Sequence, residues 1–265
     1  MSQLSGEQLT IHAGGKSVVG GASFAIESGL PAARLPSGGG QAPGHAAQAG
    51  KIHVLMGPNG SGKSSLLNAL MGHPKYEITE GRITLDGEDI TKLPTEKKAQ
   101  KGIFLSLQHL PEISGVTLTN FLHRAYRAQK GGEIAPLEFY KHMEARAQEF
   151  GIDASFLKKH LNAGLSGGEK KQSEVLQLLA LEPKFALLDE IDSGVDIDAL
   201  KKVFAVIEHM KKQGVGFLLV THYTKLLEHI TPDNVSVMKE GKIVASGGRE
   251  LAERIAKEGF EKIAS

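Results

Sequence analysis

The sequence contains no cysteine among its 265 residues. The chain therefore cannot form a disulfide, supply a thiolate nucleophile, or bind zinc or an iron–sulfur cluster through thiolates. An excess of charge of one sign is also absent, because 31 Lys and Arg stand against 30 Asp and Glu, for a net charge of +1. This balance argues against a protein that holds nucleic acid through bulk charge. We expect neither a bound cluster nor a nucleic-acid partner.

Long hydrophobic runs are absent too. No apolar run approaches the roughly 20 residues that a membrane helix requires. The first residues, "MSQLSGEQLTIHAGG", lack the basic region and apolar core of a signal peptide. We therefore expect a soluble, cytoplasmic protein without direct membrane insertion, and any role in transport would need separate membrane subunits.

Short apolar runs alternate with helical patterns, which predicts an α/β fold with a largely parallel sheet. Buried strands are expected at 52–57, 184–189 and 216–221. Antiparallel strands are expected in 17–27 and 235–247, the latter with a hairpin turn at Glu240-Gly241. Residues 119–150 show three- and four-residue apolar spacing, which predicts an inserted helical subdomain. Residues 30–48 are rich in Ala, Gly and Pro, which indicates a flexible surface loop.

The stretch "GPNGSGKSS" matches the G-x-x-x-x-G-K-[ST] phosphate-loop pattern and stands between an apolar strand and a helical segment, as that motif requires. Its glycines let backbone N–H groups turn toward a phosphate chain, and the helix N-terminus adds partial positive charge. Lys63 is predicted to reach the β- and γ-phosphates, and Ser64 to bind Mg²⁺. The candidate nucleotide-binding residues here are Gly57, Asn59, Gly60, Ser61, Gly62, Lys63, Ser64 and Ser65.

Two carboxylates follow the apolar segment "FALL" in the stretch "LLDEIDSGVD". A strand that ends in Asp is the usual companion of a phosphate loop, so Asp189 is predicted beside the Ser64–Mg²⁺ position. Glu190 comes next and is placed to polarise a water for attack on the γ-phosphate. Both predictions depend on the phosphate loop, because strand-end charge alone would have no special meaning.

Six motifs in one order make the chain resemble the ATP-binding-cassette (ABC) family. They are the phosphate loop, Gln108 after a strand, "LSGGE", "LLDE", "SGVD", and His222 after "LLVT". The resemblance covers nearly the whole chain and implies a RecA-like core with an antiparallel β part and an inserted helical subdomain. It implies one ABC ATPase domain over 1–265, with the catalytic core in 1–107 and 164–265 and the Gln108 segment and helical subdomain in 108–163.

The family resemblance also implies roles for residues that have no clear role on their own. Gln108 would link Mg²⁺ and the γ-phosphate to the helical subdomain, and His222 would contact the γ-phosphate and hold the attacking water. The helix start at Ser166, Gly167, Gly168 and Glu169 is a further anion site, which in the family serves the ATP of a partner subunit. ATP would therefore form a transient head-to-tail homodimer, and hydrolysis would release it.

Within the family, "SGGEKK", "DEIDSGVDIDAL" and "QHLPEISGV" are similar to the ATPases of iron–sulfur cluster assembly, which work with SufB- and SufD-like scaffold proteins. Most ABC ATPases carry Pro-Thr or a similar pair where this chain has Ile191-Asp192. By this resemblance Lys171, Asp192 and Asp196 form a regulatory charge network, in which Lys171 is expected to pair with Glu190 in the resting monomer. Partner docking is expected in 108–116 and the helices that follow.

Two other functions remain open on the sequence. One is the ATPase subunit of an ABC membrane transporter, and the other is a nucleotide-gated binding adaptor with little turnover. The chain also departs from the family pattern. Gln172 replaces a usual Arg, and Ala13 stands where an aromatic ring normally stacks on adenine, with His12 only a weak substitute. These departures put adenine selectivity and affinity in question.

Overall fold

A computed structural model gives the fold of the chain. It describes residues 1–29, 48–106, 112–192, 196–223, 226–227, 229–259 and 261–263. Gln108 and the predicted loop 30–48, apart from Gln48, lie outside these residues.

A six-stranded sheet forms the centre of the molecule, with the strand order β12-β11-β3-β10-β9-β6. All neighbouring strands are parallel except the β11–β12 hairpin. Its strands are β3 (Ile52–Met56), β6 (Ile103–Ser106), β9 (Phe185–Asp189), β10 (Gly216–Thr221), β11 (Asn234–Lys239) and β12 (Lys242–Gly247). The three strands predicted from apolar runs and the hairpin turn at Glu240-Gly241 are all present.

A four-stranded antiparallel sheet accompanies the central sheet, in the order β2-β1-β4-β5. Its strands are β1 (Ser2–Ala13), β2 (Lys16–Ser28), β4 (Tyr76–Leu85) and β5 (Glu88–Asp89). Sequence patterns predicted β2 but missed β4. That strand is mostly exposed along its length, so its sequence, YEITEGRITL, lacks the continuous apolar signal of a buried strand.

Seven α-helices complete the described part of the chain. They are α1 (Lys63–Met71), α2 (Thr95–Gln100), α3 (Leu118–Lys130), α4 (Pro136–Glu149), α5 (Gly167–Leu181), α6 (Ile197–Lys212) and α7 (Arg249–Glu258). Helices α3 and α4 stand between two short paired strands, β7 (Ile113–Thr117) and β8 (His160–Leu161). This helical insertion agrees with the expected fold class. None of the helices described is long and apolar enough to span a membrane.

Two hydrophobic clusters cover the two faces of the central sheet. Val54 and Leu188 belong to one cluster, whereas their chain neighbours Leu55 and Leu187 belong to the other. This alternation follows from the two-residue period of a strand. Strands buried on both faces carry continuous apolar sequence. This explains why β3, β9 and β10 were the strands that the apolar runs predicted.

The strand register brings the functional motifs to one edge of the sheet. Thr221 lies opposite Met56, and Val220 lies opposite Asp189. Because the carboxyl ends of parallel strands meet at the same edge, the residues that follow β3, β9 and β10 become neighbours. Those residues are the phosphate loop, Glu190 and His222.

Helix α1 is anchored at its far end by Lys98 of α2. The Lys98 side chain is fully buried, and its Nζ donates to Leu70 O at 2.9 Å and to Thr91 O at 3.4 Å. Burial lowers the pKa of the Lys98 ammonium to about 8. The helix that follows the phosphate loop therefore ends on a cation, which suits the negative end of its dipole.

Candidate active site

The phosphate loop turns into α1 through a left-handed glycine. Gly62 has φ +104°, and an ideal Cβ at this position would lie 2.8 Å from Val18 O. A side chain is therefore excluded both by conformation and by space. No side chain caps the start of α1, so its first N–H groups are available to an anion. This is the geometry that the sequence motif predicted for phosphate binding.

Lys63 lies inside the loop. Its side chain is almost fully buried, and Nζ donates to Gly57 O at 2.8 Å and to Pro58 O at 2.9 Å. Burial lowers the pKa of the ammonium, while the charges of Glu190 and Asp189 raise it in part. The ammonium is thus held by backbone carbonyls at the centre of the loop, where a phosphate oxygen would compete for its protons.

Asp189 ends β9 and is 2% exposed. Its Oδ1 is buried without a hydrogen-bond partner in the described part of the chain. Burial raises the pKa of this carboxyl, and the Ser64 hydroxyl acts in the opposite direction. A buried, unpaired carboxylate oxygen next to a serine hydroxyl is an oxygen donor set of the kind that Mg²⁺ prefers. Asp189 and Ser64 therefore fit the predicted metal site.

Glu190 and His222 meet at the ends of neighbouring strands. Glu190 N donates to Val220 O at 2.9 Å, and the residue has a left-handed φ of +48°. His222 Nδ1 lies 3.0 Å from Glu190 Oε1. Both side chains are mostly buried, with 13% and 19% exposed for Glu190 and His222. The structure thus brings the candidate base and the candidate γ-phosphate contact into direct hydrogen-bonding distance.

Asp192 is held on the same edge of the sheet. Its Oδ2 accepts a hydrogen bond of 2.7 Å from Thr221 Oγ1, directly before His222. Burial raises the pKa of the Asp192 carboxyl, the Thr221 hydrogen bond lowers it, and the charge of Glu190 raises it further. Asp192 therefore holds Thr221, the residue directly before His222, and acts on the Glu190–His222 pair through it.

The partner of Lys171 differs from the one expected. Lys171 Nζ forms an ion pair with Glu174 Oε2 at 2.9 Å, one helical turn away, and the Glu174 side chain is 1% exposed. The other Glu174 oxygen, Oε1, accepts from Ser106 Oγ at the end of β6. In this structure Lys171 is paired with Glu174 in place of the expected Glu190, and Glu190 lies against His222. The sequence missed Glu174 because its burial depends on the tertiary packing of α5, which lies against α3, α4 and α6.

The signature segment "LSGGE" forms the capped start of α5. Glu169 N donates to Ser166 Oγ, and Ser166 N donates to Glu169 Oε2, which is a capping box. Lys159 bonds the other Glu169 oxygen, Oε1, at 2.8 Å, and these contacts lower the pKa of the Glu169 carboxyl to about 2. Glu169 therefore has a structural role at the helix start, in addition to the nucleotide contact predicted for it.

Asp196 begins α6 and also lies beside the signature segment. Its Oδ1 accepts from Ala199 N at 2.8 Å, as an N-cap. An ideal Cβ at Gly168 would lie 3.4 Å from Asp196 Oδ2. The two helix starts are thus in contact, which places Asp196 where a change at the signature segment would reach it.

A cavity of about 560 Å³ lies over the phosphate loop. It brings together Glu190 and the loop residues from Asn59 to Ser65, whereas Gly57 and the signature residues are not among the described residues that line it. The described lining residues are Ser17, Val18, Asn59, Gly60, Ser61, Gly62, Lys63, Ser64, Ser65, Glu190, Glu240 and Gly241. Neither His12 nor Ala13 is among them. The sequence missed the wall made by Ser17, Val18 and Glu240, for which the only signal was the hairpin turn.

Comparison with known proteins gives one consistent family. The family model described as ABC transporter matches residues 45–193. The chain is similar to Vegetative protein 296 of Bacillus subtilis (strain 168), at 50% identity over 81% of this chain and 83% of that protein. It is also similar to the probable ATP-dependent transporter ycf16 of Antithamnion sp., at 43% identity over 80% of this chain and 86% of that protein.

Solved structures show the same fold. An ATP-binding cassette of an ABC transporter aligns with a TM-score of 0.75 at 22% identity, over 100% of this chain and 99% of that one. A dimeric, post-hydrolysis ATP-binding cassette bound to ADP and Pi aligns with a TM-score of 0.74 at 17% identity, over 92% and 98% of the two chains. The fold class expected from the sequence is confirmed.

Proposed function

Because this chain belongs to the ABC family of ATP-binding, ATP-hydrolysing proteins, we propose that it is the cytoplasmic ATPase of a SufC-type iron–sulfur cluster assembly machine. One observation carries the choice within the family. Asp192, which stands where most ABC ATPases have a different residue type, is half-buried close enough to Glu190 to feel its charge, and it is bonded to Thr221. The residue that distinguishes this subgroup is thus built into the catalytic edge of the sheet.

ATP would lie with its phosphates on the start of α1. The N–H groups of the loop and Lys63 would bind the β- and γ-phosphates, and Ser64 with Asp189 would hold Mg²⁺. When bound, Mg²⁺ supplies positive charge that neutralises the triphosphate. The unpaired Oδ1 of Asp189 supports this assignment.

Glu190 would take a proton from the attacking water. Its carboxylate is oriented from one side by the His222 ring at 3.0 Å, and its backbone is fixed by the bond from Glu190 N to Val220 O. A base that is held by two strand ends needs little rearrangement before reaction. His222 is thus proposed to orient Glu190 as well as to contact the γ-phosphate. The gathering of Lys63, Asp189, Glu190 and His222 disfavours the adaptor with little turnover.

A complete site would require two chains. Ser166 and Gly167 are exposed, and the signature residues do not line the phosphate-loop cavity of their own chain. A second copy, head to tail, would bring its signature segment to that cavity, and ATP would join the two. The dimeric cassette among the similar structures supports this arrangement.

SufB- and SufD-like scaffold proteins are the proposed partners, and the region that follows β6 is the proposed docking surface. The described part of this region includes Ile113 of β7, a large apolar residue that is 40% exposed. A cleft of about 290 Å³ beside β6 and α3 is lined mostly by apolar side chains, including Phe104, Leu105, Ala125 and Ala128. With no cysteine, the chain would drive cluster assembly while the partners hold the cluster.

An ABC transporter ATPase is the second candidate. It is supported by the name of a relative from Streptococcus pyogenes, a "probable ABC transporter ATP-binding protein". Such a protein would use the same docking surface to contact a membrane subunit.

Affinity capture from the native lysate separates the two candidates. The tagged chain should retain SufB- or SufD-like proteins, and their addition should raise its ATPase rate. The Ile113→Arg variant should lose this capture while its basal ATPase rate stays unchanged. Recovery of a membrane permease in place of scaffold proteins would establish the transporter function and overturn the proposal.

A further inference from the structure

The phosphate-loop cavity has a second wall that the phosphate-binding residues do not explain. Ser17 and Val18 of β2 form part of it, and Glu240 and Gly241 of the β11–β12 turn form the rest. Since the first wall takes the phosphates, the second wall faces the nucleoside end of the ligand. None of the described lining residues is aromatic, so recognition there depends on polar contacts and not on stacking of a ring.

The β11–β12 turn is fixed against the phosphate loop by its backbone. Gly241 N donates to Ser61 O at 2.9 Å, and Gly20 N donates to Gly241 O at 2.9 Å. An ideal Cβ at Gly241 would lie 2.8 Å from Val18 O, so the turn packs closely on β2 as well. The position of Glu240 relative to the cavity is therefore set by rigid neighbours on both sides.

Glu240 is an unfavourable residue for the turn in which it stands. Glu240 and Gly241 have φ values of +48° and +77°, and they join the paired residues Lys239 and Lys242. Two-residue hairpin turns with positive φ at both positions favour Asn or Asp before Gly. The chain follows that preference at Asp86-Gly87, where φ is +53° and +82°. A glutamate in a left-handed conformation beside a ligand cavity is a candidate for a functional side chain.

A carboxylate on this wall would be repelled by the phosphates but would suit the ribose. Carboxylates bind the ribose hydroxyls of nucleotides in other folds, where an Asp or Glu accepts hydrogen bonds from the sugar. We propose that Glu240 is a specificity-determining residue that accepts hydrogen bonds from the ribose hydroxyls of ATP, the 2′-hydroxyl among them. This inference rests on nucleotide binding at the phosphate loop and adds the recognition of the sugar to it.

Binding of ADP and 2′-deoxyADP to the full chain in the presence of Mg²⁺ tests the proposal, because these ligands report the sugar contact without turnover. Titration calorimetry should show that the wild type prefers ADP by about 10- to 150-fold, the value of one hydrogen bond to a charged group. Loss of the Glu240 charge should act on the phosphates of both nucleotides alike, so the ratio of the two affinities is the measured quantity. Glu240→Gln, whose amide oxygen is a neutral acceptor, should reduce the preference for ADP to about 2- to 10-fold, and Glu240→Asn, whose side chain is one methylene shorter, should reduce it to about onefold.

Two comparisons keep the test decisive. Asn suits the left-handed turn, so Glu240→Asn should unfold at the same temperature as the wild type or higher. Asp86→Asn, in the matched turn that does not line the cavity, should retain the preference for ADP. An unchanged preference in both Glu240 variants, or an equal loss for both nucleotides, would overturn the role of Glu240. Triphosphate binding by the loop would survive either result, whereas loss of all nucleotide binding in the wild type would refute the proposed function itself.

Discussion

His222 Nδ1 lies 3.0 Å from Glu190 Oε1, across the ends of two neighbouring parallel strands. The two residues are far apart in the sequence. The β9–β10 register places Val220 opposite Asp189, so the residues that follow the two strands become neighbours. A histidine that bonds the candidate base fixes the direction of its lone pairs. The catalytic pair is thus a product of sheet topology, and its activity should be sensitive to either partner.

Glu190→Gln should lower kcat for ATP hydrolysis by about 10²- to 10⁴-fold, because glutamine cannot accept the proton of the attacking water. ATP binding should persist, and an ATP-bound dimer should accumulate. Steady-state kinetics and light scattering with Mg²⁺–ATP measure the two effects. Glu253→Gln, at an exposed pair with Arg249, is the matched control and should behave as the wild type. A Glu190→Gln variant with an unreduced kcat would remove Glu190 from the mechanism.

Asp189→Asn should abolish Mg²⁺-dependent hydrolysis but stabilise the fold. Burial raises the pKa of Asp189 in the folded state above its pKa in the unfolded chain. The stability of the wild type therefore falls as pH rises from the unfolded pKa to the folded pKa, and the cost of the charge persists at higher pH. An unpaired buried polar group costs about 1–3 kcal/mol, and 1 kcal/mol shifts Tm by about 2–4 °C in a chain of this size.

Thermal unfolding at pH 7 checks the effect of Asp189→Asn on stability, and ATPase assays over a Mg²⁺ series check the effect on activity. A variant that unfolds at a lower temperature would show that the carboxylate has a partner which stabilises the fold. Retained Mg²⁺-dependent activity would show that the metal is held elsewhere.

Lys171→Met should lower the free energy of unfolding by about 3 kcal/mol, because it leaves the Glu174 charge buried without its partner. The double variant Lys171→Met/Glu174→Leu should lose less than the single variant. Lys170, which is also on α5, forms a more exposed ion pair with Glu112. Lys170→Met breaks that pair and should cost at most about 1 kcal/mol. Denaturant unfolding measures all three. Equal losses in Lys171→Met and Lys170→Met would mean that burial of the pair is energetically unimportant.

Lys171 also carries the predicted regulatory role. Lys171→Ala should change the basal or the partner-stimulated ATPase rate if exchange of ion-pair partners accompanies dimerisation. Unchanged rates under both conditions, measured below the unfolding temperature of the variant, would remove Lys171 from regulation. Its first partner in such an exchange would be Glu174, and not Glu190 as the sequence suggested.

His53 makes the fold sensitive to mild acid. The ring is buried, with Nε2 2.9 Å from Ser236 Oγ and Nδ1 3.2 Å from Ala25 O. Burial lowers its folded pKa below 6.5, so the neutral ring is favoured. Its contribution to stability is present above pH 6.5 and is lost as pH falls below that value, at no more than about 1.4 kcal/mol per pH unit. His53→Gln should flatten the loss between pH 7 and 5 in denaturant unfolding. Identical slopes for wild type and variant would contradict this.

Local sequence patterns predicted the parts of the site that one segment encodes by itself. The phosphate loop, the carboxylate that ends β9 and the Glu240-Gly241 turn each depend on a few adjacent residues and a strand that is buried on both faces. The partner of Lys171 could not be predicted in this way. Lys171 and Glu174 are spaced as an ordinary exposed helical pair, and only the packing of α5 in the folded chain, against α3, α4 and α6, removes them from water. The same limit applies to Glu240, whose cavity is assembled from four segments that are distant in the sequence.

The anchor at the end of α1 has a consequence for chemical labelling. An amine with a pKa of about 8 is a good nucleophile near neutral pH, but Lys98 is fully buried. An amine-reactive reagent can modify it only when the contact between α1 and α2 opens. The modification rate of Lys98 therefore reports how often the contact between α1 and α2 opens. A nucleotide bound at the other end of α1 should lower that rate.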